Sequence, residues 1–334
     1  MTGWVDRLWY GSGRPLWILW PLAWLYLWIS RRRRRQALAA RARLPPLSAP
    51  VIVVGNITVG GTGKSPLTAW LTDCLREEGW RPVILSRGYG GKSRAYPLKV
   101  GAGTQVEEAG DEPLMLFRHT GCPVVVDPRR TRAARWALDQ GLGDVLVCDD
   151  GLQHYALPRD IELAVFDGKR GLGNGAPIPV GPLRERPERL KNVDFVVANG
   201  QAVEGISGVH QYVMELKPET LRNLRSGEVR PVDCLNGKAV RAVAGIGNPD
   251  RFFSTLRSLG ARVRPLPLPD HHRFSPQDLA IDPGEQLVMT AKDGVKCGRL
   301  AHHDCWVLEV RAILPEEFRK ALLQRLEAVT SKRR

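Results

Sequence analysis

The stretch Gly55-Asn56-Ile57-Thr58-Val59-Gly60-Gly61-Thr62-Gly63-Lys64-Ser65 combines the residue types that phosphate chemistry needs. Glycines let backbone N–H groups close around phosphate oxygens, a lysine neutralises the β- and γ-phosphates of a nucleoside triphosphate, and a serine hydroxyl reaches Mg²⁺. Thr58, Val59, Gly60, Gly61, Thr62, Gly63, Lys64 and Ser65 are the candidate nucleotide contacts. The strict G-x-x-x-x-G-K-[ST] spacing has glycine where this chain has Thr58, so the loop is a variant. Asp149 and Asp150, before Gly151, are a second candidate group. Side-chain alternation along a strand favours Asp149 as the principal Mg²⁺ partner and leaves Asp150 a supporting role.

Isolated, either motif also reads as an ordinary turn, so the elements around them decide. Val51-Ile52-Val53-Val54 is continuously apolar and β-branched, as a strand buried in a parallel sheet should be. Leu67, Trp70, Leu71 and Leu75 then recur at helical spacing up to Gly79. Strand, glycine-rich loop and helix form the setting that a P-loop requires. Val145-Leu146-Val147-Cys148 is a second buried strand, and a carboxylate at its C-terminal end lies where open α/β sheets bind ligands.

The chain of 334 residues, 43% hydrophobic, can bury two ordinary cores. Its formal charge of +14 is concentrated: nine Arg against one Asp in residues 1–44 leave the remainder modestly basic. No basic stripe with aromatic platforms follows, which argues against nucleic acid as a partner. The six scattered cysteines form no C-x-x-C pair and read as reduced structural thiols. Residues 15–30 carry no charge, six of the ten tryptophans fall in the first 28 residues, and Arg31 to Arg35 follow. That order is a membrane signature and the reverse of a signal peptide. A spanning helix, bent at Pro21, and a helix lying in the interface both fit, and either puts the chain after Arg35 on the cytoplasmic side.

The remaining motifs resemble one family, tetraacyldisaccharide 4'-kinase, also called lipid A 4'-kinase. They are the loop from Gly55 to Pro66, Ser86-Arg87-Gly88-Tyr89-Gly90-Gly91, Gly110-Asp111-Glu112-Pro113 and Asp149-Asp150-Gly151-Leu152-Gln153-His154. Gly181-Pro182-Leu183-Arg184-Glu185, Ala244-Gly245-Ile246-Gly247-Asn248-Pro249, Asp270-His271-His272-Arg273-Phe274 and Thr290-Ala291-Lys292-Asp293 complete the ordered set. The resemblance implies transfer of the ATP γ-phosphoryl group to a sugar hydroxyl of a lipid A disaccharide precursor at the inner membrane, with Mg²⁺ and with the site between two α/β domains. It makes Asp111 the base and His271 its partner, beside Lys64 in the catalytic set, although Asp111 before Glu112 and Pro113 also suits a helix cap. Glu112 joins Ser65, Asp149 and Asp150 as a metal candidate. Arg130, Gln153, His154 and Arg184 are candidates for the sugar or its phosphate. Asn248 and Pro249 read as the start of a helix.

The expected fold class is α/β: an N-terminal membrane anchor and basic flank over 1–44, a P-loop parallel-sheet domain over 45–165, and a second, smaller α/β domain over 170–312. A helix over 313–334, with Phe318, Leu322 and Leu326 on one face, is free to return to the first domain. No obligate protein partner is evident. The rival function is a membrane-tethered P-loop ATPase or GTPase that acts as a switch, which would have no use for an Asp111–His271 pair.

Overall fold

The β-branched run behind the glycine-rich loop becomes a fully buried central strand, and the computed structural model, which describes residues 3–11, 16–298 and 300–333, builds outward from it. In chain order the first half contains α1 (Gly3–Tyr10), α2 (Trp20–Ala42), β1 (Val51–Gly55), α3 (Lys64–Glu77), β2 (Pro82–Ser86), β3 (Leu98–Lys99), α4 (Val106–Ala109), α5 (Asp111–Thr120), β4 (Val124–Val126), α6 (Arg130–Asp139), β5 (Val145–Cys148), β6 (Ile161–Asp167) and β7 (Phe195–Asn199). The second half contains β8 (Gln211–Asn223), β9 (Val229–Pro231), β10 (Ala239–Ala244), α7 (Pro249–Ser258), β11 (Arg262–Pro267), β12 (Gln286–Thr290), α8 (Ala291–Cys297), β13 (Cys305–Ile313) and α9 (Glu316–Ser331).

One sheet runs through both halves in the order β11-β10-β12-β13-β8-β7-β6-β1-β5-β2-β4-β3. From β4 to β7 the strands are parallel, with β1 between β5 and β6. The parallel block therefore extends past residue 165, through β6 and β7. Continuously apolar strands need cover on both faces. Leu67, Leu71 and Leu75 of α3 cover one face together with Phe318, Leu322 and Leu326 of α9. Ala133, Ala134 and Ala137 of α6 cover the other. Each large side chain buried this way contributes roughly 1.5–3 kcal/mol.

The second block is smaller. Phe252, Phe253 and Leu256 of α7 cover one side of β10 and β12, and Leu279, Cys297 and Cys305 lie on the other. The blocks share β8, whose residues 211–214 pair in parallel with β7 and whose residues 215–223 pair antiparallel with β13.

The N-terminal apolar run does not form one continuous helix. Its first residue, Pro15, lies outside the described residues. Trp17–Leu19 form a separate 3₁₀ turn, and Pro21 sits in the first turn of α2 rather than bending it, because its fixed φ suits a helix start. Arg31 to Arg35 lie inside α2, so only its first half is apolar. Ala23 packs on Ala176 and Val180, while Trp17 (67% exposed), Ile18 (84%) and Trp24 (63%) face outward. Among the described residues no helix is long and apolar enough to cross a membrane.

Candidate active site

The phosphate loop is held from outside as well as by its own glycines. Val59 N–H donates to the Pro182 carbonyl (2.9 Å), Arg184 N–H donates to Ile57 (2.7 Å), and Thr58 bridges to Leu183. Tyr10 of α1 donates its hydroxyl to the Val59 carbonyl (3.0 Å). Gly63, at φ 99°, turns the chain into α3, and a β-carbon there would lie 2.7 Å from the Asn199 amide nitrogen. That amide donates to Thr62 O (3.3 Å) and is itself held by Arg251 (2.6 Å). The Gly245–Gly247 segment of the second block abuts the loop. A β-carbon on Gly247 would meet Gly61 N at 2.7 Å, which gives the glycine a reason that a helix start alone does not. Asn248 does occupy the N-cap position of α7, but its side chain donates to Asp167 (3.1 Å) instead of capping.

Asp149 follows β5, the neighbour of β1, and is thereby set beside the loop. It is buried, and Thr68 of α3 donates to it (3.1 Å). Burial, then the negative charges of Glu112 and Asp150, push its carboxyl up to about 7. Alternation does not direct Asp150, because the strand has ended and Asp150 adopts φ 46°, a conformation that non-glycine residues rarely hold. Its carboxylate lies 3.5 Å from both Lys64 and Arg184. Burial works to raise Asp150, but Lys64, Arg184 and Arg130 overcome it and bring the group down to about 2. Ser65 stands in the first turn of α3. Ser65, Asp149, Asp150 and Glu112 are an all-oxygen set of the kind Mg²⁺ prefers, and at Asp149 burial and two neighbouring carboxylates outweigh the single Lys64 charge, which a cation would relieve. Among the described residues the three carboxylates are not gathered into a ready-made cage.

Asp111 and His271, 160 residues apart, meet where the two blocks face each other, with Oδ2 and Nδ1 2.9 Å apart. Asp111 is the first residue of α5 rather than its cap. Gly110 takes the N-cap position, and Asp111 Oδ1 accepts the Glu112 N–H (2.9 Å). His271 is held at φ 61° with the Tyr89 ring 4.8 Å away. Its neighbour His272 turns to Asp278 (3.1 Å). Burial raises Asp111, but the His271 hydrogen bond and the Lys292 charge outweigh it and hold the carboxyl below its usual range. The same hydrogen bond raises His271. The pair therefore keeps Asp111 ionised and oriented, free to accept a proton although less basic than an unpaired carboxylate.

The four sugar or phosphate candidates cluster around Asp150. Arg130 is buried and donates to the Asp150 carbonyl (2.9 Å), and Gln153 bridges Asn56 O and Glu185 (both 2.8 Å), so both brace the loops. Arg184 and His154 are less committed. Burial first, and then the charges of Arg130, Arg159 and Arg87, push the His154 imidazole down to about 4, and those three arginines supply a positive field there that draws anions. Sequence reasoning missed Tyr10 and Asn199 as loop supports, and it read Lys292 only as part of the motif from Thr290 to Asp293. That motif is a helix start: Thr290 caps α8 by accepting from Asp293 N–H. A lysine in a first helical turn opposes the helix dipole, and that was the available signal that its ammonium serves something else.

Residues 15–327 match the family described as tetraacyldisaccharide-1-P 4'-kinase. A tetraacyldisaccharide 4'-kinase of Alkalilimnicola ehrlichii is 49% identical over 319 residues, covering 93% of this chain and 94% of the relative. One of Hahella chejuensis is 42% identical over 336 residues, covering 99% and 98%. Among solved structures, LpxK of Aquifex aeolicus in complex with ATP superposes with a TM-score of 0.78 at 30% identity, covering 92% of this chain and 98% of that one.

Proposed function

The chain belongs to the tetraacyldisaccharide-1-P 4'-kinase family, and from that premise we propose that it transfers the γ-phosphoryl group of ATP to the 4'-hydroxyl of a tetraacyl disaccharide 1-phosphate. The observation that carries this reading is the Asp111–His271 pair, which an acceptor kinase needs and a nucleotide switch does not. Backbone N–H groups from Gly60 to Ser65 and the Lys64 ammonium hold the triphosphate, while the Val59 N–H, engaged by the Pro182 carbonyl, anchors the loop instead. Ser65, Asp149 and Glu112 would hold Mg²⁺, which when bound neutralises charge on the phosphoryl oxygens. Asp111 accepts the proton of the acceptor hydroxyl while His271 fixes the carboxylate's orientation. Arg184 and His154, near Asp150, face the sugar or its phosphate. The test is the purified chain with γ-labelled ATP and tetraacyl disaccharide 1-phosphate in detergent. Label should appear on the lipid at the 4' position; label found only in inorganic phosphate would leave the switch.

The site's acceptor is a lipid, and the outward aromatic face of α2 supports an interfacial anchor on the cytoplasmic side of the inner membrane. Trp17, Trp24 and Trp28 are exposed, and the Arg31–Arg35 run lies one to two turns beyond Trp28, where anionic headgroups would meet it. Wild type should float with anionic vesicles in a sucrose gradient. Replacing the three tryptophans by serine should leave the protein at the bottom with ATP affinity unchanged. Flotation of the triple variant would place the anchor elsewhere.

A further inference from the structure

The partly buried Lys292 holds its ammonium among three carboxylates drawn from both blocks. Its Nζ is 3.0 Å from Asp270 Oδ1, 3.1 Å from Glu112 Oε1 and 3.9 Å from Asp111 Oδ2, the oxygen that faces His271. Burial opposes the charge, yet Glu112, Asp111 and Asp270 together hold the group protonated above the usual lysine range. The geometry around His271 shows what this charge arranges. Two carboxylates flank the imidazole at different ring nitrogens: Asp111 lies at Nδ1 (2.9 Å) and Asp270 stands near Nε2 (3.7 Å). Lys292 engages the second, and Asp270 Oδ1 also accepts the His271 backbone N–H (3.0 Å).

We propose that Lys292 is a positioning residue for phosphoryl transfer: by holding Asp270 and Glu112 it keeps His271 turned to Asp111 and fixes α5 against α8 across the seam between the blocks. The proposal rests on Asp111 as the base. Without the ammonium, Asp111, Glu112 and Asp270 repel one another, and the ring is free to tip toward Asp270. Small displacements of a reacting group cost up to about 10²-fold in rate. ATP is bound on the first block by the phosphate loop, which Lys292 does not touch, so the loss should fall on turnover rather than on nucleotide affinity.

The experiment measures kcat, KM for the lipid and ATP affinity in the full-length chain for K292M, K292Q, D111N and the double variant K292M/D111N. K292M and K292Q should lower kcat about 10- to 100-fold with ATP affinity within about twofold of wild type. In the D111N background K292M should add less than about threefold, because residues that act as a unit are not additive. Near wild-type kcat in K292M, a loss that multiplies in the double variant, or a fall in ATP affinity parallel to kcat would each overturn the proposal. Activity in D111N alone would instead remove the base on which it rests, a result readable independently of Lys292.

Discussion

Asp111→Asn should lower lipid phosphorylation on the order of 10²- to 10⁴-fold while ATP binding and folding stay near normal. The substitution preserves side-chain size, and the Asn oxygen can still accept the Glu112 N–H at the start of α5, because that bond needs only one acceptor. What it removes is the charge that the His271 hydrogen bond and Lys292 hold in place. The acceptor proton leaves late in a loose transition state, so the loss falls on kcat. The measurement is rate beside thermal stability and ATP affinity. Full turnover in the variant removes the base assignment, whereas collapse of stability would mean that the carboxylate is a structural part of α5. His271→Ala acts in the same direction and adds a sign that can be checked. The Asp111 carboxyl is held low against its burial chiefly by His271, so without that partner it rises. The acid limb of kcat should then move to higher pH.

Lys64→Ala should lower transfer at least about 10²-fold, since a preorganised cation at the phosphate oxygens is lost. It differs from Asp111→Asn in kind, because ATP affinity should fall together with kcat. The ammonium faces Asp150 at 3.5 Å, and removing it leaves that carboxylate to Arg184 and Arg130. The loop's shape should survive: Gly63 and the contacts from Pro182, Arg184 and Asn199 hold its backbone without the lysine side chain. Titration with ATP and a steady-state rate check this. Wild-type turnover would sink the loop as a triphosphate clamp.

The phosphate loop and the strand that ends just before Asp149 were legible because their signals are local, in the loop's case a β-branched run, glycines and a helical stripe within about 25 residues. The Asp111–His271 pair was reached only by resemblance, since 160 residues separate its members and no periodicity encodes their meeting. Lys292 and Glu112 are 180 residues apart, and Tyr10 and Val59 are 49 apart. Such contacts exist only once distant parts of the chain have folded together. The reach of the parallel block past residue 165 was hidden for a similar reason, because β7 and β8 are assigned by pairing across the sheet rather than by their own pattern. Asp150 shows the limit of a local rule. Alternation applies within a strand, and β5 ends two residues earlier.

The chain passes between its blocks outward along β8 and back along β13, two strands hydrogen-bonded side by side, before α9 closes over α3. The crossing is thus a ribbon rather than a flexible tether, and the final sixteen-residue helix belongs to the core of the half that was made first. The protein resists dissection. A fragment that stops at the end of β8 leaves Leu67, Leu71 and Leu75 without their cover, and the other fragment carries an orphaned apolar helix. During synthesis, too, the nucleotide-binding half cannot finish its core until α9 has left the ribosome.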